Sequence, residues 1–345
     1  QNSKKKKEQG RVGLDQTGDI LASRAQRFSG PGGVKDNASK PKIVGNWDKY
    51  MGISMIGGGS KKLDEMDYEK MTVKGTCNVL EKSYLRLTAP PRPELVRPQP
   101  ILEQHLKNLK EERKKGGRDY LWFCSQFKAI RQDCTVQRIQ NAFTVDVYET
   151  HARIAHEESD MNEFNQCQTQ LMELYALLAK QKDESPKALR NQNEFIAYRL
   201  IYQTFLVVVN DAGSSDMFKI MLSLTRQQRE DPQVWHALAV REASFGTDYH
   251  AFFRLRRECP TIWAGHLMNT IMPTMRFLAL QRIAKGYCPT SLPVEFVLSE
   301  LALSADFGRQ WLESCGCVLS KDGQEFLTKD TSIHESTMED KQSLI

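Results

Sequence analysis

The chain has 345 residues, of which 40% are hydrophobic and 26% charged, and its formal charge is +5. That length can bury at least one sizeable core and suggests two domains with an extension. The longest uninterrupted apolar runs, such as 205–209, fall far short of the roughly 20 residues that cross a bilayer, so the reading is a soluble chain. The start at Gln1 is Lys-rich with no apolar run behind it, which reads as a fragment or a processed chain without a signal peptide.

The charge is unevenly placed. Residues 1–62 hold 13 Lys and Arg against 5 Asp and Glu. They are also rich in Gly and Ser, and a disordered basic arm is expected there, its densest run the lysines at 4–7. Within it, Ile20, Leu21, Arg24, Ala25 and Phe28 share one helical face and suggest a short docking motif. Residues 63–100 carry Tyr84-Leu85-Arg86-Leu87 and then Pro90, Pro91, Pro93, Pro98 and Pro100. Proline fixes φ and removes donors, so an extended Pro-rich strap is expected, lying on a folded body.

Beyond Pro100 the apolar period becomes helical. Phe164, Cys167, Leu171, Leu174, Tyr175 and Leu178 recur at steps of three and four, with Asp160 and Glu163 as a capping pair. The same reading places helices at 101–112, 118–131, 143–157, 160–179, 192–209, 215–228, 232–245, 248–258 and 265–285. Asp231-Pro232 marks a helix start, Gly246 a stop, and Thr247 the cap of the next helix. Short links between amphipathic helices predict a mainly α fold: an irregular, tetratricopeptide-like stack of helical hairpins over 101–264.

The last part changes character. Helices at 293–303 and 305–315 precede Asp322-Gly323, a two-residue hairpin signal between short apolar strands. Three helices and a hairpin predict a winged-helix domain over 265–330, and 331–345 should fray. In such modules the third helix and the wing are the usual contact surfaces.

The templates for catalysis fail. There is no P-loop, no strand-linked GxGxxG, no GxSxG and no HExxH. No catalytic, cofactor-binding or metal-binding residue is assigned, and the chain reads as a non-enzyme. The eight scattered cysteines lack CxxC pairs, so reduced thiols are expected, with Cys315 and Cys317 a lone CxC. His151 and His156 stand five apart, about 140° around a helix, which is poor geometry for one metal. Phosphate contacts, if any, fall on Arg276, Arg282, Lys285, Arg309 and Lys321, with Arg254, Arg256 and Arg257 as a second cluster. A partner is expected to meet Leu319, Phe326 and Leu327.

The run from Ser125 to Gln137, which includes Arg131-Gln132-Asp133, resembles the signature of the SAC/GANP domain family. So does the run from Phe143 to Ala155, with Tyr148, Glu149, His151 and Arg153, and the run from Glu163 to Leu171. Gly75-Thr76-Cys77, Tyr84-Leu85-Arg86-Leu87-Thr88, Val96-Arg97-Pro98 and Arg24-Ala25-Gln26-Arg27-Phe28 make the chain most similar to the branch of leukocyte receptor cluster member eight and its fungal counterparts. The resemblance is strong over 75–175 and looser to 327, and 180–193 departs as an enlarged loop. It implies a helical body whose winged helix sits beside that of a PCI-domain partner, which holds a small acidic DSS/SEM-type subunit. It also implies a nuclear scaffold in mRNA processing or export, resembling the TREX-type export complex, with a composite RNA or DNA surface. A proteasome-lid, signalosome or translation-initiation subunit is the alternative, since those too join helical repeats to winged helices.

Overall fold

The computed structural model describes residues 72–181 and 185–336. The chain divides between Lys61 and Lys62, and everything below concerns the second part. The expected basic arm, its lysine run and the motif at 19–28 lie outside the described residues, as do 63–71, 182–184 and 337–345.

The described fold is mainly α. After a strap, 72–92, without helix or strand and a 3₁₀ turn at Pro93–Leu95 comes α1 (Gln99–Lys115). This helix starts two residues earlier than expected: Pro98 stands at its cap, where a missing N–H costs nothing, and Pro100 in its first turn. Asp119 caps α2 (Tyr120–Val136) through the Trp122 amide, and Asn141 caps α3 (Ala142–Glu157) through the amides of Phe143 and Thr144. Asp160 caps α4 (Met161–Leu178) by accepting from Glu163 N at 3.0 Å. The reciprocal half of that pair does not form, because the Glu163 carboxylate turns inward to Lys128 and Arg131.

A short α5 (Ser185–Ala188) precedes α6 (Gln192–Val208). The single helix expected over 215–228 is two, α7 (Ser215–Ser223) and α8 (Arg226–Glu230). Leu224 between them is extended, and Thr225 forms a capping box with Gln228 that starts a new helix. Asp231 caps α9 (Pro232–Gly246), with Pro at its first turn as expected. The left-handed stop is Thr247 rather than Gly246, and Asp248 rather than Thr247 caps α10 (Tyr249–Arg257). Thr261 caps α11 (Ile262–Tyr287), 26 residues long.

Three cores hold these elements. Leu102, Leu106, Phe123, Phe127, Ile130 and Val147 join α1, α2 and α3. A central core takes α3, α4, α6, α9, α10 and the first half of α11, with Phe164, Leu171, Phe195, Ile201, Val240 and Met268 among its members. The second half of α11 contributes Ala279, Leu280 and Ile283 to a third core with Val297, Leu298, Trp311, Leu312 and Phe326. The boundary expected at 264/265 therefore falls inside one continuous helix that serves two cores.

Past α11, β1 (Leu292–Pro293) pairs antiparallel with β2 (Glu325–Phe326), and Leu319 bridges Phe326 from the other side. Between them run α12 (Val294–Glu300) and α13 (Ala305–Ser314). The expected hairpin is present with a wider turn: Gly323 N donates to Ser320 O at 2.8 Å, and Ser320 N to Glu325 O at 2.8 Å. Of the Asp-Gly pair only Gly323 has positive φ, 68°, whereas the two-residue turn needs it at both central positions. Residues 331–336, expected to fray, lie along the end of α13. His334 N donates to Cys315 O and Thr331 Oγ1 accepts from Val318 N, both at 3.0 Å, while Ile333 packs on the third core. These bonds satisfy backbone groups that the helix end leaves open.

Candidate functional site

The family-like signature lies mostly on α2, and its polar groups point two ways. One face holds the strap. Gln126 Oε1 accepts from Lys82 N at 3.2 Å, Ser125 Oγ from Tyr84 N at 3.1 Å, and Gln132 Nε2 donates to Leu85 O at 2.9 Å. Gln137 clamps both strap ends, accepting from Gly75 N at 3.0 Å and donating to Arg97 O at 2.7 Å. Asp133 binds Arg97 Nε and Lys82 Nζ, each at 2.6 Å. Gly75 is required there, because a Cβ would collide with the carbonyl of Val96.

The opposite face reaches α3 and α4. Arg131 Nη2 donates to Glu163 Oε1 at 2.5 Å and Nη1 to Cys167 Sγ at 2.8 Å, with the guanidinium 5.3 Å from the centre of the Tyr148 ring. Lys128 takes the other Glu163 oxygen at 2.7 Å. Burial disfavours the Arg131 charge, but its neighbours Cys167, Tyr148 and Glu163 outweigh this and hold its pKa above the ordinary guanidinium value. Burial pushes the Cys167 thiol and the Tyr148 hydroxyl each up to about 12. His151 is stacked on Phe127 with ring centres 5.0 Å apart. Burial first, then Arg131 and Lys128, keep it neutral, and its 4.0 Å approach to Glu163 is too long for a hydrogen bond.

Farther along α3, Glu149 accepts from Tyr175 Oη at 2.7 Å and Asn191 Nδ2 at 2.6 Å. Burial lifts its carboxyl above the usual range, against those donors and Arg153. Arg153 forks onto Glu194 through Nε and Nη2. The signature residues Arg131, Gln132, Asp133, Tyr148, Glu149, His151 and Arg153 thus join neighbouring segments, and their polar contacts are with one another and with the strap.

Metal binding finds no support in this arrangement. His151, Glu163 and Cys167 offer ligand atoms within 4.8 Å of one another. Arg131 already donates to both Glu163 and Cys167, so a fixed cation stands where a metal would, beside a thiol held protonated. Cys124, Asp160 and Glu163 also converge, with Asp160 taken by the Tyr120 hydroxyl and Glu163 by Lys128. His156 does not face His151; its ring is stacked 5.9 Å from His266, edge-on to Phe164 and Trp263. Cys315 and Cys317 are buried free thiols, and among the described residues no third ligand joins them.

The residues expected to meet nucleic acid or a partner divide. Arg276 is buried and donates to the carbonyls of Leu301 at 3.0 Å and Ala302 at 2.7 Å, closing the end of α12. That corrects its expected role, since it has no reach to a phosphate. Phe326 is fully buried in the third core, which corrects its place on a docking face; Leu319 and Leu327 beside it are half-buried. Arg282, Lys285 and Lys321 are exposed, and half-buried Arg309 donates to Gly323 O at 3.2 Å. Arg254 and Arg257 are exposed, whereas Arg256 is tied to Asn269 at 2.7 Å. Sequence reasoning missed the exposed apolar side chains Tyr287, Phe296 and Val318 around the ribbon. It also missed the local charge: residues 287–336 hold three Lys and Arg against eight Asp and Glu, a balance of −5.

Helices stacked in pairs, ending in a helix-and-ribbon unit and braced by a buried polar network, define a helical-repeat protein whose signature residues are structural. Residues 60–320 match the SAC3/GANP family, and the chain belongs to it. It is 38% identical over 81% of its length to a leukocyte receptor cluster member 8 homolog from Xenopus laevis, covering 32% of that protein. It is 40% identical over 76% of its length to a THP3 homolog from Schizosaccharomyces pombe, covering 63% of it, and 32% identical over 80% to protein THP3 of Saccharomyces cerevisiae, covering 55%. The chain thus spans about one third to less than two thirds of these relatives.

Proposed function

We propose that this chain is a non-enzymatic scaffold subunit of a nuclear mRNA-processing or export complex, and that residues 265–330 act as a winged helix docking a PCI-domain partner. One observation carries the reading: the signature side chains, including the ionisable ones, are spent on joining α2, α3, α4 and the strap. A catalytic site would need converging groups left free to meet a substrate. The strap over 63–100 and the repeat over 101–264 form the rigid body that presents the last unit. Tyr287, Phe296 and Val318, with half-buried Leu319 and Leu327, supply the apolar part of the docking face. A small acidic DSS/SEM-type subunit would be held by the partner.

The charge balance bears on the nucleic-acid role. A surface at −5 repels phosphates, so Arg282, Lys285 and Lys321 suffice only beside a basic partner surface, with Arg309 fixing the turn that carries Lys321. This favours a composite RNA or DNA platform over autonomous binding. Titrating fluorescent single-stranded RNA into the chain alone and into its complex with the PCI subunit tests the reading. Binding by the complex that weakens on R282E/K285E/K321E supports it. Equal binding by the chain alone overturns the composite platform.

A further inference from the structure

The strap closes on itself. Thr76 N donates to Pro93 O at 2.9 Å and Cys77 N to Val96 O at 3.0 Å, so the residues between form a compact loop whose ends meet. Beneath it lies a cavity of about 280 Å³, walled by Val79, Leu85, Leu87, Pro91 and Leu95 and floored by α2. Although it is a wall of an apolar cavity, Leu85 is 70% exposed and Leu95 58%. A loop that only braced the helices would turn such side chains inward.

The floor is polar and incompletely used. Lys82 Nζ carries three donors and spends them on two partners, Asp133 Oδ1 and Leu95 O. Gln132 donates from Nε2 to Leu85 O, and its Oε1 has no partner among the described residues. One donor and one acceptor at the edge of an apolar hollow match the N–H and C=O of a single peptide group. Charge narrows the choice further. Residues 74–97 hold five cations, Lys74, Lys82, Arg86, Arg92 and Arg97, against Glu81 and Glu94; with Asp133 the balance is five to three, a surplus of +2.

We propose that this cavity is a docking pocket for an extended segment of a partner protein that combines large aliphatic side chains with carboxylates. The side chains fill the hollow, the peptide group between them meets Lys82 and Gln132, and the carboxylates face Arg86 and Arg92. The pocket lies on the strap rather than on the last unit, so it stands or falls independently of the docking surface proposed above.

The test uses the whole chain and fluorescein-labelled heptapeptides with two leucines flanked by glutamates, followed by polarisation. Saturable binding is expected, weakened about tenfold or more when lysines replace the glutamates or alanines the leucines. L85E and R86E, both at exposed positions that leave the cores untouched, should each remove binding while the thermal melt stays in place. Failure of the acidic leucine peptide to saturate, equal binding of the lysine peptide, or binding untouched by both variants would overturn the proposal. Tighter binding of single-stranded RNA, lost in R86E but not in L85E, would also overturn it, showing a phosphate contact in its stead.

Discussion

Arg97 Nε and Asp133 Oδ2 meet at 2.6 Å with both side chains almost wholly out of solvent, one from the strap and the other from the middle of α2. The strap is therefore fixed to the helical body by charge as well as by apolar contact. Breaking a buried pair by removing one partner leaves an uncompensated charge and costs about 3–5 kcal/mol. D133N should lower stability by that order, measured by urea unfolding, and loosen 72–98 more than any helix. A change below about 0.5 kcal/mol, the usual range for a surface substitution, would mean that the strap is not held this way.

A second test concerns the close approach at Gly75. Adding a Cβ forces the strap away from Val96, and overpacking costs roughly 1–3 kcal/mol. G75V is expected to raise hydrogen exchange at Cys77 and Leu80 while α3 and α4 keep their protection. Uniform protection across the strap would show that the approach is dispensable.

Stability should fall with acid before carboxylates matter. His156 is lowered to about 4 and His151 well below its ordinary value, each first by burial; His105 and His236 are lowered in the same sense. The unfolded chain takes up these protons near pH 6.5 and the folded chain does not, so stability is fully present above that pH and declines toward pH 4. For His151 and His156 together the slope approaches two protons, about 2.7 kcal/mol per pH unit. Glu149, held above the usual carboxyl range by burial, works in the opposite sense nearer pH 4.5. H156F should flatten the unfolding free energy between pH 6.5 and 4. An unaltered slope would mean that His156 is protonated in the fold.

Replacing Arg131 separates structure from metal chemistry. R131M should destabilise by about 3–5 kcal/mol because Glu163 is left buried with only Lys128, and added zinc should not restore the loss. Zinc rescue of the thermal melt would reveal a metal triad at His151, Glu163 and Cys167.

Much of the helical body was legible because apolar residues recur at helical steps and Asp or Pro marks helix starts; Asp160, Asp231 and Pro232 stand where those signals place them. Leu224 was not legible, since its apolar side chain continues the period while Thr225 and Gln228 restart the helix. Arg276 carried a usable signal: it stands four residues after Met272 and four before Leu280, on the buried stripe of α11. So did Phe326, because neighbours in a strand face opposite sides, and Phe326 and Leu327 cannot both lie on one face. The clamp itself left no periodic trace. Gln126, Gln132, Asp133 and Gln137 look like the polar side of an amphipathic helix until the strap is laid over them.

The scaffold reading predicts a stable complex between this chain and a PCI-domain subunit that depends on the apolar rim of the last unit. Light scattering of the co-purified pair, with and without F296D/V318D, weighs it. A one-to-one complex that falls apart in the double variant, whose own melt is unchanged, is expected; a complex of undiminished mass and affinity would show that the last unit is not where the partner sits.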